Sequence, residues 1–338
     1  MGRAGLNRKT ALTTATLTLA AEAPDLDVLA NVKGSVFGFA HHRGFTHSFL
    51  GVPLVAALVV GFMYGLWRLR GRRTRNANLP PRWGLLFGFA CLAGLSHILL
   101  DYTNNYGVRP FWPFYERWYS WDIVFIVEPA LLLLMIAGLA LPSLFGLINE
   151  EIGVPRSGPK GRLGASLALL GIVAVWGVRD YEHGRAVVAM QARTYQGVVP
   201  LRVSAYPYWW NPFRWYGVAE TPAFFAQVSV NSRLPEVDPA RDMRIRYKPE
   251  ETPVTLAAKS SYLGRVYLDW AQYPITETQM FAGGPSDYAV RFRDLRYDYP
   301  GSGRATLSAT VILNSERQIV SQDFGLRRSS RLQAPPSR

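Results

Sequence analysis

Imidazole and carboxylate side chains are concentrated in a few short polar segments in the first third of the sequence. The candidate metal ligands among them are His42, His47, His97, Asp101, Asp25 and Asp27. His97 and Asp101 are four residues apart in an apolar run, so a helix places both on one face. Nitrogen and oxygen ligands of this kind bind Zn²⁺, and also Mn²⁺ or Fe²⁺. The pattern predicts a site for one or two divalent ions, with zinc as the first expectation.

Three polar residues are candidates for catalysis beside such a metal. Asp27 or Asp122, whichever is not a ligand, is the candidate general base. Arg43 is suited to hold an anionic group such as phosphate. Each of the three has a structural alternative. Asp27 could be a turn residue at a helix end, Arg43 could pair with lipid phosphate, and Asp122 could cap an apolar helix over 123–148. The i, i+4 pair on its own also fits a hydrogen bond that fastens two helices.

The elements that must position these residues are apolar enough to cross a membrane. Only 18% of the 338 residues are charged, against about 25% in soluble domains. A bilayer core needs about 20 apolar residues in a helix. Four long runs and a weaker first one predict four to five spans, over 10–23, 49–67, 83–101, 123–148 and 163–178. The first run also has the outline of a cleaved signal peptide.

Basic residues predict the orientation of these spans. Six arginines and no acid lie between the second and third runs, at positions 68, 70, 72, 73, 75 and 82. The positive-inside rule makes this loop cytoplasmic, and alternation then places all the polar segments at the outer face. The net charge of +13 alone would suggest nucleic acid. An arginine run between two spans is better read as a topology signal, so we expect membrane lipid and no nucleic acid as partner.

The sequence changes character near residue 180. Short β-branched or alternating runs predict strands over 201–206, 224–230, 243–247, 288–292 and 305–313. The pattern over 255–272 is more typical of a helix. We expect a membrane domain over 1–180, a small α+β domain with an antiparallel sheet over 181–326, and a disordered basic tail over 327–338. The aromatic string 206–216 is expected in the core of that domain, with the bilayer surface as the alternative.

At the polar segments the sequence resembles the YdjM-type inner-membrane proteins, described as predicted, LexA-regulated, membrane-bound metal-dependent hydrolases. The strings that carry the resemblance are Pro-Asp-Leu-Asp at 24–27, His-Arg-Gly-Phe-Thr-His-Ser at 42–48 and His-Ile-Leu-Leu-Asp at 97–101. The resemblance implies a multi-pass protein of the bacterial inner membrane with a hydrolase-like metal site. Relatives usually begin with a Thr-His pair before the stretch found here at 5–10; this sequence starts too late to include it, so either Met1 is a misassigned start or this member lacks that histidine.

Three functions remain open from the sequence. The first is a metal-dependent hydrolase at the extracytoplasmic face that acts on a lipid or lipid-linked ester or phosphoester. The second is an ion or solute transporter that uses the His/Asp cluster, with Glu128 as an acid inside a span. The third is a non-catalytic membrane anchor with a structural metal. The single cysteine, Cys91, excludes an intramolecular disulfide and a thiolate zinc finger.

Overall fold

The computed structural model describes residues 1–72, 79–151, 161–234, 236–237, 243–280, 288–299 and 307–325. The predicted basic tail and part of the arginine-rich loop lie outside these ranges.

The first half of the chain is helical. Its helices are α1 Thr13–Glu22, α2 Ser35–His41, α3 Gly51–Leu69, α4 Trp83–Thr103, α5 Pro129–Glu151 and α6 Arg162–Gln191. Three of them, α3, α4 and α6, are long and apolar enough to cross a membrane, and α5 has a shorter apolar part over Pro129–Pro142. Membrane helices followed by an α+β domain were predicted, and that architecture is confirmed.

The fifth helix begins six residues later than the sequence suggested. Asp122 has a left-handed φ of 59°, which a regular helix does not allow. Glu128 precedes Pro129, and a residue before proline avoids the helical region. Proline itself is well suited to the first turn of a helix. The prediction that Asp122 caps this helix is therefore wrong.

Helices α1, α3 and α4 pack into a bundle with small residues between them. Leu17 contacts a seam formed by Ala20, Ala56, Ala90 and Ala93. Small side chains allow membrane helices to approach closely and gain van der Waals contact. Because α3 runs opposite to its neighbours, the end of α1, the start of α3 and the end of α4 meet at one end of the bundle. All the polar segments of the sequence therefore converge there.

The second half of the chain contains two antiparallel sheets. The first has the order β1-β2-β3-β4, with β5 also paired to β3; its strands are β1 Arg202–Pro207, β2 Arg214–Glu220, β3 Phe224–Asn231, β4 Glu236–Val237 and β5 Arg244–Tyr247. The second has the order β6-β7-β8-β9, from β6 Pro274–Met280, β7 Tyr288–Asp294, β8 Ala309–Leu313 and β9 Ile319–Phe324. Two helices, α7 Pro253–Ser260 and α8 Tyr262–Trp270, lie between the sheets in the sequence.

Two details of this domain differ from the sequence prediction. The helical stretch 255–272 is two helices, because the Ser261 hydroxyl accepts a hydrogen bond from the Gly264 amide and starts α8. The aromatic string 206–216 is divided by its environment. Tyr206, Trp215 and Tyr216 are fully buried in the core, whereas Trp209 and Trp210 are more than half exposed.

The second half packs directly on the first. The end of α6 enters the core of the first sheet through Ala186, Ala189 and Met190. Phe39 and Tyr106, from the polar end of the helix bundle, belong to the same core as α8 and the second sheet. Helix α6 thus continues through the boundary expected at residue 180, and the polar end of the bundle is partly covered by the α+β domain.

Candidate metal centre

Four of the predicted ligands come together at the polar end of the bundle. Asp25 lies in the 3-10 helical segment Ala23–Lys33 that follows α1, and His47 ends the 3-10 turn Phe45–His47 before α3. His97 and Asp101 occupy successive turns near the end of α4. One nitrogen or oxygen from each of the four residues lies within 4.8 Å of the others. We call this set the four-residue centre.

The spacing of the four atoms fits a tetrahedral metal site. His47 Nε2 lies 3.1 Å from His97 Nε2, 3.4 Å from Asp25 Oδ1 and 3.3 Å from Asp101 Oδ2. His97 Nε2 lies 3.4 Å from each of the same two carboxylate oxygens. Zinc bonds of about 2.0–2.1 Å place neighbouring ligand atoms about 3.3–3.4 Å apart in a tetrahedron. Four of these five distances lie in that range and the fifth, between the two imidazole nitrogens, is slightly shorter, so the donor set and its spacing fit a divalent ion.

The hydrogen bonding around the centre also fits a bound cation. Asp101 Oδ2 is buried, and among the described residues only the Nε2 atoms of His47 and His97, at 3.3 and 3.4 Å, approach it, without the geometry of a good hydrogen bond. A buried carboxylate oxygen left unpaired is costly unless a cation or water satisfies it. At the exposed side, hydrogen bonds from His47 and His97 hold the pKa of the Asp25 carboxyl far below its usual range. Asp25 is thus charged at neutral pH, as a metal ligand must be.

Asp27 lies behind the centre and is occupied by other contacts. Its Oδ2 accepts a 2.7 Å hydrogen bond from the Arg43 amide and lies 3.4 Å from Nδ1 of His47. Its Oδ1 is 3.0 Å from Nδ1 of His42. A carboxylate behind a ligating histidine fixes the tautomer and the orientation of the ring. This geometry leaves Nε2 of His47 facing the centre, and the Thr46 hydroxyl, 3.1 Å from the same Nδ1, supports it.

Arg43 contacts the centre from the protein side. Its guanidinium donates a 2.7 Å hydrogen bond to Oδ1 of Asp101, which leaves Oδ2 directed at the two histidines. The same guanidinium donates to the Gly107 carbonyl and lies over the ring of Tyr106, 4.8 Å from its centroid. Arg43 is buried, with a left-handed φ of 51°. Its two terminal nitrogens therefore hold protein groups, and its Nε is buried without a hydrogen-bond partner among the described residues.

The turn that carries His47 rests on the first residue of α3. The Ser48 hydroxyl donates to the Phe45 carbonyl and accepts from the Gly51 amide, which closes the turn. A β-carbon at Gly51 would lie 1.8 Å from the carbonyl oxygen of Phe45. Only glycine allows the turn over 45–48 to lie this close to the first residue of α3. Gly51 therefore determines where His47 lies in the centre.

Two other predicted site residues lie outside the four-residue centre. His42 is one-third exposed and pairs with Asp27. Asp122 is in the loop before α5, where burial raises the pKa of its carboxyl to about 6. Its Oδ1 is buried without a hydrogen-bond partner in the described part of the chain, and its charged neighbours are Arg296 and Asp294. Both residues keep their predicted roles only as hypotheses.

Glu128, which the transport hypothesis used as an acid within a span, is buried in an ion pair. Arg179 of α6 contacts both of its carboxylate oxygens, at 2.8 and 2.9 Å. The same guanidinium also donates to the carbonyls of Tyr208 and Asn211. Glu128 therefore links α5, α6 and the α+β domain, and this contact gives no support to an ion path.

A cavity of about 560 Å³ lies beside the centre. Asp27 and Thr46 line it from the centre, and α8 of the α+β domain closes the opposite wall. The other side chains that matter for its chemistry are Arg109, Trp112, Arg265, Val266 and Asp269. Arg109 is buried, and its guanidinium donates to the carbonyls of Ala40 and His42. The cavity thus combines apolar walls with charges of both signs.

The sequence analysis assigned no role at the centre to several groups that shape it, although Asn104 to Gly107 and Thr46 belong to the strings that carry the family resemblance. Asn104, Tyr106 and Gly107 form a turn after α4 that contacts Arg43, and Thr46 supports His47. The Asn-Asn-Tyr-Gly string at 104–107 is a turn signal in the sequence, which could have found the turn. Nothing in its composition indicates what the turn holds.

Comparison with known proteins finds a family match over the helical first half of the chain. The chain is 24% identical over 120 residues to the uncharacterized protein YfhP of Bacillus subtilis (strain 168), a match that covers 36% of this chain and 33% of that protein. The chain thus aligns with about a third of this curated relative. No solved structure matches. The model of the YdjM inner membrane protein family matches residues 1–186, more than half of the chain, and the protein belongs to this family.

Proposed function

We propose that this protein is a membrane-bound metal-dependent hydrolase whose centre faces the extracytoplasmic side. The observation that carries the proposal is the four-residue centre with its near-tetrahedral spacing and the buried Oδ2 of Asp101, which lacks a good hydrogen bond. Asp25, His47, His97 and Asp101 would hold a divalent ion, which would supply a water of lowered pKa and polarise an ester or phosphoester oxygen. Zinc fits the donor set best, and Mn²⁺ or Fe²⁺ are alternatives.

The residues around the centre have distinct roles in this proposal. His47, His97, Asp25 and Asp101 hold the ion, and the exposed Asp25 marks the side open to substrate and water. Asp27 orients His47 and Arg43 orients Asp101, because their hydrogen bonds are already used on these partners. The proposal thus assigns Asp27 and Arg43 to positioning, in place of the general base and the anion-binding group expected from the sequence.

The surface beside the centre supports a lipid or lipid-linked substrate. The segment that carries Asp25 and Asp27 also exposes Leu26, Leu29 and Val32, the last of them 88% exposed. Exposed apolar side chains in a row are typical of a membrane or ligand contact. An acyl chain against this row would bring an ester bond of its head group to the open side of the centre.

The side of the membrane follows from the positions of the charges. Arg68, Arg70 and Arg72 lie at the end of α3 opposite to the turn that carries His47. If this basic end is cytoplasmic, as the positive-inside rule predicts, the centre is extracytoplasmic. A cysteine at Val32 should then react with an impermeant thiol reagent in intact spheroplasts, in a Cys91→Ser background. A cysteine at Arg72 is the matched control and should react only after lysis; the reverse pattern would contradict the proposed orientation.

Metal content tests the centre itself. We expect about one equivalent of metal in protein purified in detergent without chelators. His97→Ala should remove it, and His41→Ala should not, because His41 is an exposed histidine of the same region outside the centre. Absence of metal from folded wild type, after growth with added zinc, manganese and iron, would overturn the proposal.

Substrate turnover separates a catalytic metal from a structural one. The loaded protein should release head group or acyl chain from at least one member of a phospholipid and lipid-linked phosphoester panel. The activity should disappear in His97→Ala and persist in Glu250→Ala, at an exposed position of the α+β domain that does not line the cavity. A stable metal with no turnover of any lipid would favour the non-catalytic anchor.

A further inference from the structure

The α+β domain holds a turn of the membrane domain through a buried arginine. Arg296, in the 3-10 turn after β7, is 1% exposed. Its guanidinium donates to the carbonyls of Asn105 and Trp270, each at 2.9 Å, and pairs with Asp294 at 2.8 Å. Its charge is thus matched by a buried carboxylate, while two of its hydrogen bonds join separate parts of the chain.

Two more side chains of the same domain hold this turn. The Tyr297 hydroxyl donates to the Asn105 carbonyl at 2.9 Å, and the Trp270 indole donates to the Tyr106 carbonyl at 3.1 Å. Three side chains from the α+β domain therefore fix two successive carbonyls of the turn over 104–107. Buried backbone carbonyls need such partners, and losing one leaves a group that has no access to water.

The held turn contacts the four-residue centre through Arg43. The Gly107 carbonyl accepts a 3.1 Å hydrogen bond from the guanidinium of Arg43, and the same guanidinium stacks on the ring of Tyr106. Arg43 in turn holds Oδ1 of Asp101 at 2.7 Å. A continuous set of buried contacts thus runs from Arg296 to a ligand of the centre.

We propose that Arg296 is a positioning residue of the metal centre, and that the α+β domain is part of the site. This domain lies almost wholly outside the region matched by the family model, so the family gives it no role. Residues that orient metal ligands contribute about 10–100-fold to metal affinity. The inference uses the centre of the proposed function, but its geometric part can be tested without metal.

Two variants weaken the contact between the α+β domain and the turn over 104–107 to different degrees, and a third variant is the control. Arg296→Lys keeps the charge near Asp294 but loses the planar group that joins two carbonyls. Tyr297→Phe removes one hydroxyl and retains the ring. Tyr267→Phe is the matched control, because its buried hydroxyl donates to Leu307 of the same domain and makes no contact with the turn.

The measurements are zinc affinity, by competition with a chelator, and hydrogen exchange of the amides over 43–47 and 104–107 in the full-length protein. Because Arg296 acts on the ligand through the turn and Arg43, we expect Arg296→Lys to lower zinc affinity about tenfold, the lower end of the range for direct partners of a ligand, and Tyr297→Phe to lower it about threefold. Amide hydrogen exchange over 43–47 and over 104–107 should be fastest in Arg296→Lys, slower in Tyr297→Phe and slowest in wild type. Tyr267→Phe should leave both measurements within about twofold of wild type.

Two outcomes would overturn the inference. One is Arg296→Lys and Tyr297→Phe matching Tyr267→Phe in both measurements. The other is a loss of affinity equal in all three variants, which would show a general loss of stability. If wild type binds no zinc, the proposed hydrolase fails separately, and exchange over 43–47 and 104–107 in the three variants still decides whether Arg296 positions the turn.

Discussion

Two groups of buried charge lie near the ends of the membrane helices, and they differ in how completely their hydrogen bonds are satisfied. In the Glu128–Arg179 pair, both carboxylate oxygens are matched by the guanidinium, which also reaches two carbonyls. In the four-residue centre, two histidines and two carboxylates face one point, and Asp101 Oδ2 has only the long contacts of 3.3 and 3.4 Å to the two imidazoles. A satisfied group of charges joins helices, whereas an unsatisfied one is arranged for a cation.

The largest effect is expected from breaking the satisfied pair. Glu128→Ala leaves Arg179 charged and buried, which costs about 3–5 kcal/mol of folding free energy. Glu128→Leu combined with Arg179→Met should recover part of this loss, because the uncompensated charge is gone. Unfolding by graded denaturant in detergent measures both. A loss below about 1 kcal/mol for the single variant would show that the pair is not a staple.

Asp122 is an intermediate case, a partly buried acid whose Oδ1 has no hydrogen-bond partner in the described ranges and whose side chain hydrogen-bonds Ser120. Burial raises the pKa of its carboxyl from 3.8 to about 6, so the folded state binds the proton more tightly than the unfolded state. Its contribution to stability is therefore present below about pH 4 and is lost as the pH rises through about 6. We expect Asp122→Asn to be more stable by about 2–3 kcal/mol at pH 7, with no difference near pH 4.

Unfolding midpoints of wild type and Asp122→Asn between about pH 4 and pH 8 measure this effect. Asparagine tolerates the left-handed backbone of residue 122, so the substitution keeps the loop conformation. A difference that does not change with pH would contradict the assignment to this carboxyl.

Zinc should stabilise the folded protein through the four-residue centre, and this gain should not depend on the Glu128–Arg179 pair. At a free zinc concentration about 100-fold above Kd, we expect a gain of about 2.7 kcal/mol in wild type. Glu128→Gln should show the same gain from its lower starting stability, and His97→Ala should show none. Melting temperatures with zinc and with chelator test this, and a gain retained in His97→Ala would place the ion elsewhere.

The smallest effect is expected from the carboxylate behind the centre. Asp27→Asn keeps the size of the side chain but weakens its hold on His47. Zinc affinity should fall about 10–100-fold, equal to about 1.4–2.7 kcal/mol. Asp269→Asn, in the cavity wall away from the ligands, is the control. An unchanged affinity in Asp27→Asn would show that Asp27 does not orient the ligand.

Helical periodicity predicted the part of the site that lies on one helix. His97 and Asp101 share a face because they are four residues apart, and the alternation of spans brought them to the same end as Asp25 and His47. The sequence assigned both His42 and His47 as ligands, with one or both of Asp25 and Asp27, whereas the structure brings His47 and Asp25 to the centre. Asp25 and Asp27 lie in a 3-10 segment, where one residue changes the direction of a side chain by about 120°, and His42 lies at the extended end of α2.

The α+β domain was predicted in class but not in all its strands. Strand β6 carries Thr, Glu and Gln, and β9 carries Ser, Gln and Asp, so neither shows the alternation of a half-buried strand. Arg296 was missed for another reason. Its partner Asn105 is 191 residues earlier in the chain, and no local pattern carries that information.

The close contact between the 45–48 turn and Gly51 predicts which substitutions a genetic screen would find. Gly51 has no side chain, no charge and no part in any reaction, yet a methyl group there would push away the carbonyl that supports His47. In a random mutagenesis screen, substitutions at Gly51 should therefore fall in the same phenotypic class as loss of a ligand. A survey of loss-of-function alleles would identify this position without any knowledge of the chemistry.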